Sequence, residues 1–148
     1  MDRQFAAMVE TIMPTFAELV ADIDRAAIPN AAGVYLFKER GAPLMVGRSR
    51  DLRQRHAWHR SGDYNLATFA FELARRATGS TEATLARGGS KRFLMQDVRF
   101  SSAFSDAKER IRQMAFHWVV ESDPARQALL ELYAAISLQT PFNTFKVG

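Results

Sequence analysis

The chain has 148 residues, 47% of them hydrophobic and 24% charged, with 20 Lys and Arg against 16 Asp and Glu for a net charge of +4. That length and composition predict one folded domain able to bury a real core and exclude a globally disordered chain. The absence of cysteine excludes disulfides, zinc–thiolate sites and thiol catalysis. A pI near 9.8 is a hint of an anionic partner. No apolar run approaches the roughly 20 residues needed to span a bilayer. Met1-Asp2-Arg3-Gln4 leads into an amphipathic pattern rather than a secretory segment, so a cytoplasmic protein is expected.

In chain order, Phe5, Met8, Val9, Ile12, Met13, Phe16, Leu19 and Val20 follow helical spacing. Pro14 lies inside that run and predicts a kink or two short helices. Ile28-Pro29-Asn30 is a break. Gly33 to Phe37 reads as a strand, Lys38 to Ala42 as a turn around Gly41, and Pro43 to Gly47 as a second strand, together a hairpin. Pro43 at a strand start is tolerable because its missing N–H need not enter the ladder. Ser49 or Asp51 can cap a helix reaching about His59.

Tyr64 to Thr78 has Leu66, Phe69, Ala70 and Leu73 on one stripe, with Gly79 as a stop. Between Ser80 and Ser102 the pattern is weak; Gly88-Gly89 punctuates it and Phe93-Leu94-Met95 suits a helical turn. Asp106 followed by Glu109 resembles a capping box for a helix to about Met114. Phe116 to Glu121 reads as a third strand. Ser122-Asp123-Pro124 starts a last helix to about Gln139, and Pro141 ends it. The fold class expected is α+β, a small three-stranded, mainly antiparallel sheet flanked by helices. Residues 1–148 form one domain on this reading, a helical extension over 1–28 preceding a core over 29–145.

Chemistry concentrates in two places. Arg48 to Arg60 holds Arg48, Arg50, Arg53, Arg55 and Arg60 with His56 and His59, against one acid, Asp51. Arg55 and His59 stand one turn apart on a helix, on one face. Guanidinium groups grip phosphate oxygens bidentately, although a charge run alone reads equally as a solvated face. Glu131 lies in the apolar middle of the last helix. A carboxylate there is a hard oxygen ligand for magnesium or manganese, or simply an exposed acid on the polar side of the helix. Among the remaining candidates, His117 reads as structural, His56 as basic surface, Tyr64 and Asn65 as a helix start or a nucleic-acid contact, and Arg87 to Arg92 as a solvated or phosphate-tracking basic loop.

Together these residues carry a resemblance that none carries alone. Ala32-Gly33-Val34-Tyr35-Leu36-Phe37 resembles the "GIY" strand of the GIY-YIG nucleases, and Leu44-Met45-Val46-Gly47 resembles their "YIG" strand. Arg48-Ser49-Arg50-Asp51-Leu52-Arg53-Gln54-Arg55 resembles the segment that leads to the family's catalytic Arg. His59 falls where several subfamilies place a His or Tyr. Ala128-Leu129-Leu130-Glu131 resembles the helix supplying the metal-binding Glu, and Pro141-Phe142-Asn143 the terminal Pro-x-Asn. The match spans about Gly33 to Asn143, with a poorly matched middle from Gly79 to Ser101.

The resemblance implies a metal-dependent endonuclease acting on DNA, with RNA as a second possible substrate and one Mg2+ or Mn2+ ion as cofactor. It implies Tyr35 as general base, Arg55 and His59 at the phosphate, and Glu131 as metal ligand. Gly33, Met45, Gly47 and Asn143 are supporting residues, and Arg48, Arg50, Arg53 and Arg60 contact nucleic acid. A free phenol ionises near pH ~10, so Tyr35 needs a lowered pKa to act as a base. Met45 departs from the family's second Tyr. The alternative is therefore a catalytically impaired nucleic-acid-binding module.

Overall fold

The computed structural model describes residues 3–22, 27–80 and 90–143. Their elements are α1 (Arg3–Val20), β1 (Gly33–Glu39), β2 (Ala42–Ser49), α2 (Leu52–His59), α3 (Thr68–Thr78), α4 (Lys91–Met95), α5 (Val98–Arg112), β3 (Ala115–Val120) and α6 (Pro124–Leu138). They fall into two compact units, one of Met1–Arg55 with Met114–Gly148 and one of His56–Gln113. No helix among the described residues is long and apolar enough to cross a membrane.

The first unit is built on the hairpin. Strands β1 and β2 are joined by Arg40 and Gly41, both at positive φ (52° and 81°). Two successive left-handed residues are what a two-residue hairpin needs to match strand twist, and glycine takes the second position without a Cβ clash. An irregularity after Phe37 resets the register, so that Met45 faces Phe37 and Gly47 faces Tyr35. β3 pairs antiparallel with the other side of β1, giving the order β2-β1-β3. The expected three-stranded antiparallel sheet with flanking helices is present.

Side chains alternate across a strand, which gives the sheet two different faces. Val34, Leu36, Val46 and Val119 meet Ile12 and Leu19 of α1 and Leu130 and Ala134 of α6 in one core cluster. Gly33, Tyr35, Phe37, Met45, Gly47, Phe116 and Trp118 occupy the other face. Residues Gly33 to Phe37 are all buried, so the central strand reads as an unbroken apolar run. Each fully buried Leu or Ile contributes about 1.5–3 kcal/mol of transfer free energy. α1 and α6 also meet through Phe16 and Tyr133, edge to face at 5.0 Å.

Pro14 does not divide α1, which is one helix of 18 residues. Pro14 and Glu10 both lie on the exposed side, where water can satisfy the carbonyl that proline leaves without its N–H. Ile12 and Leu19, buried on either side of it, hold both halves to the sheet. α6 starts as expected: the Asp123 side chain accepts a hydrogen bond from Ala125 N, and Pro124 takes the first helical position.

Two glycines are required by close approach. A Cβ on Gly33 would lie 2.1 Å from the Val119 carbonyl oxygen and 2.9 Å from Leu52 Cδ1. A Cβ on Gly47 would lie 2.3 Å from both Cζ and Oη of Tyr35. The exposed edge of β2 is finished by the C-terminal segment. Val46 N donates to Asn143 Oδ1 (2.8 Å) and Asn143 Nδ2 donates to Val46 O (2.7 Å), while Phe142 N donates to Leu44 O (3.2 Å). The Asn143 amide thus acts as a one-residue strand, and Thr140 Oγ1 fixes it with a further bond to Oδ1.

The second unit is helical. α3 and α5 pack through Phe71 and Phe100, with ring centroids 5.1 Å apart, and Phe69, Leu73, Phe104 and Ile111 are buried. Two expectations are corrected here. α3 begins at Thr68 rather than Tyr64, because Asp63 Oδ1 accepts from Asn65 N and sets a turn ahead of the helix. Asp106 and Glu109 do not cap a helix. They lie inside α5, which is capped by Asp97, since buried Phe100, Phe104, Ala107 and Ile111 extend the helical stripe further toward the N-terminus. The helical turn at Phe93 to Met95 is α4, capped by Ser90. Arg87 and Gly88-Gly89 lie outside the described residues.

Asn143→Ala leaves both backbone groups of Val46 without their partners and is expected to lower stability by about 1–3 kcal/mol. Gly33→Ala forces backbone against backbone and is expected to cost at least as much, about 1–3 kcal/mol or more. Chemical denaturation of both variants measures this; two-state curves that coincide with the wild type would contradict the close approach and the amide staple.

Candidate active site

Tyr35 stands at the middle of the central strand, opposite Gly47 on one side and Trp118 on the other. Its ring is stacked with Phe116 at 5.3 Å and meets Phe37 edge-on at 5.9 Å. The side chain is 3% exposed. Its phenol occupies the space that any side chain at position 47 would need. The glycine of Met45-Val46-Gly47 is therefore explained by the tyrosine of Gly33-Val34-Tyr35.

The first turn of α2 is sewn to the segment ahead of β1. Leu52 N donates to Ala31 O (2.9 Å), Arg53 N to Pro29 O (3.2 Å) and Arg53 Nε to Ile28 O (2.7 Å). Asp51, not Ser49, is the cap, with Oδ1 accepting from Gln54 N at 3.1 Å. Leu52 is fully buried over Gly33. These bonds set the direction of Arg55, whose N donates to Asp51 O (3.0 Å) and whose side chain hydrogen-bonds the Tyr35 phenol.

Glu131 comes from the middle of α6. Its side chain is 22% exposed, so it is not the solvated acid of an outer helix face, and Arg48 Nε lies a loose 3.9 Å from Oε2. Burial pushes the Glu131 carboxyl above the usual carboxylate range, and Arg48 opposes the rise. The Glu131 charge also acts on Tyr35. Burial is the largest influence on that phenol, and with the added push of Glu131 it outweighs the pull of Arg55, leaving Tyr35 raised to about 12. A base needs a lowered pKa; Tyr35 is instead held protonated, because the apolar wall of Phe37 and Phe116 offers no solvation for a phenolate.

Tyr35, Gly47, Arg48, Arg55, Glu131 and Asn143 all belong to the first unit. Met45 is buried opposite Phe37, on the Tyr35 face, where a thioether adds to the apolar wall and offers no proton. Arg50 and Arg53 are exposed. His59 and Arg60 belong to the second unit. His59 is 1% exposed, its ring edge-on to Phe69 at 6.4 Å. Arg60 is exposed and its carbonyl accepts from Arg112 Nη2 (3.2 Å). His56 is not the basic surface residue expected, since burial, and secondarily Arg60, hold its imidazole below the ordinary range. His117 is structural as expected: buried, with Nδ1–H donating to Ala21 O at 2.8 Å.

Among the described residues no group of three or more His, Asp or Glu is placed to enclose a metal ion. A cation here would rest on one carboxylate. Glu131 suits that mode, being a hard oxygen donor whose burial leaves its charge poorly solvated and weakly paired, and Mg2+ commonly keeps several waters beside one or two carboxylates. The sequence reading missed the aromatic wall. Its signal was the period-two alternation of Phe116 and Trp118 on a strand already foreseen.

No protein-family model matches the chain, and no curated protein does. Among solved structures it is similar to the GIY-YIG N-terminal endonuclease domain of UvrC from Thermotoga maritima. Against one tyrosine-to-phenylalanine mutant of that domain, bound to its catalytic divalent cation, identity is 15% and the TM-score 0.41, covering 98% of this chain and 100% of that one. Against a second such mutant, identity is 14% and the TM-score 0.41, covering 97% and 100%.

Proposed function

We propose that this chain is a GIY-YIG-type endonuclease that hydrolyses DNA phosphodiester bonds with one divalent cation, Mg2+ or Mn2+, held by Glu131. The observation that carries the reading is one buried phenol, Tyr35, seated over Gly47 and hydrogen-bonded by Arg55 of α2, with the charge of Glu131 from α6 acting on it. Order of motifs along the chain supports it independently.

The chemistry follows from charge. Arg55 faces the phosphate and stabilises the negative charge that grows on its oxygens. Bound at Glu131, the cation would polarise the phosphate, take up charge on the leaving oxygen and cancel the carboxylate's upward push on Tyr35. Tyr35, after losing its own proton to solvent, takes the proton of the attacking water at Oη; the water oxygen bonds to phosphorus as the bond to the leaving oxygen breaks, and the leaving alkoxide takes a proton from solvent. Arg48, released from Glu131, joins Arg50 and Arg53 in holding the backbone. Asn143 keeps β2, and hence Gly47, in place beneath the phenol.

A second reading is favoured by the buried thioether of Met45 and by the burial of Tyr35, which works against ionising its phenol. On that reading the chain binds nucleic acid and does not cut it. Incubation with supercoiled, branched and single-stranded DNA and with matched RNA, in Mg2+ and in Mn2+, separates the two. The endonuclease produces metal-dependent nicks; salt-sensitive binding without cleavage of any substrate would leave only the binding module. RNA cut in preference to DNA would reassign the substrate.

Glu131→Gln is expected to abolish cleavage while keeping or raising Tm at neutral pH. A carboxyl whose pKa is raised on folding favours the protonated form, so its contribution to stability is present below the unfolded pKa and lost as pH rises through the folded one. A neutral amide removes that penalty, and a Tm well below the wild type would contradict it. Tyr35→Phe is expected to reduce the rate by about 10²–10⁴. The wild-type rate should rise with pH while Tyr35 remains mostly protonated, and the residual rate of Tyr35→Phe should be flat over the same range. Parallel pH profiles would remove Tyr35 from the proton transfer.

A further inference from the structure

We infer that Trp118 is a stacking platform for a nucleobase next to the scissile phosphate, so that the substrate presents an unpaired base at that point. The inference rests on the nucleic-acid reading of the site and adds a substrate class to it.

Trp118 lies directly opposite Tyr35 in the β1–β3 register and on the same face of the sheet. Opposed residues on one face stand about 4.5–5.5 Å apart at Cβ. A nucleotide's base and phosphate are joined through one sugar, so a base resting on Trp118 leaves its phosphate beside Tyr35. The aromatic wall is graded. Phe37 is fully buried and Phe116 nearly so, whereas Trp118 remains partly exposed. Phe116 lies at 29° to the indole with centroids 6.1 Å apart, which supports the plane of the ring. β3 is an edge strand, and no further strand among the described residues pairs with its outer side. Beyond Trp118 on the same face, Val120 is 54% exposed. A large flat ring left accessible at the rim of a buried phenol–guanidinium pair, and backed by a second ring, is suited to a π-face. Every base supplies one, but a base within a duplex has both faces occupied by its neighbours.

Fluorescence titration tests this with the Glu131→Gln protein, in which cleavage is expected to be lost, using three probes: a dT oligonucleotide, the same backbone with abasic sites, and a blunt duplex. Single-stranded dT should bind and quench tryptophan emission. Trp118→Ala in that background should weaken dT binding about 5–150-fold, the range for loss of one stacked base, and leave the abasic strand unchanged. Trp118→Phe, which keeps a ring, should retain most of the dT affinity and serves as the folded control. Unchanged dT affinity in Trp118→Ala would overturn the platform while leaving the endonuclease reading intact. An equal loss on the blunt duplex would overturn the requirement for an unpaired base. Failure of the Glu131→Gln protein to bind any of the three probes would overturn the nucleic-acid reading beneath it.

Discussion

The site depends on one missing side chain. Gly47 has no Cβ, and the Tyr35 phenol fills the place a Cβ would take. Everything else about the phenol follows. It lies flat across the neighbouring strand, out of water, within reach of Arg55 from α2 and within the field of Glu131 from α6. Gly33 performs the matching task one register step away, where its bare Cα admits both the Val119 carbonyl and the Leu52 side chain that seats α2. Gly33 and Gly47 are thus spatial requirements of two specific neighbours.

Burial then sets the electrostatics. A desolvated phenol and a partly desolvated carboxylate both resist ionisation, and one guanidinium opposes the phenol's resistance. Arg48 supplies a loose and partly exposed partner for Glu131, near enough to compensate some charge and weak enough to be displaced. Removing the desolvated Glu131 charge therefore relieves the fold.

The hairpin, β3 and α6 were legible because their signals are local. Turn residues, alternation and an Asp-Pro start all lie within a few positions of the elements they define. Tyr35, Arg55 and Glu131 stood out in the sequence only through a resemblance in the order of motifs; that they act on one phenol depends on how the strands and helices fold together. The reason for Gly47 was not legible, since it depends on which way the Tyr35 ring turns after the register shifts at Phe37. The phenol's raised pKa was also hidden, because it comes from Phe37 and Phe116, one on its own strand and the other on a strand far along the chain. Helix starts in the second unit were misread where a turn preceded the helix at Asp63 and where the apolar stripe began earlier than Asp106. Pro14 did not split its helix into two, because Ile12 and Leu19 pack on either side of it.

The direct test of the central claim is a double-mutant cycle on stability between Tyr35→Phe and Arg55→Met, read by chemical denaturation. If the buried phenol and the guanidinium are bonded as described, the two losses are non-additive by about 0.5–3 kcal/mol. Additivity within about 0.3–0.5 kcal/mol, the behaviour of independent sites, would show that Tyr35 and Arg55 do not form one site and would contradict the account.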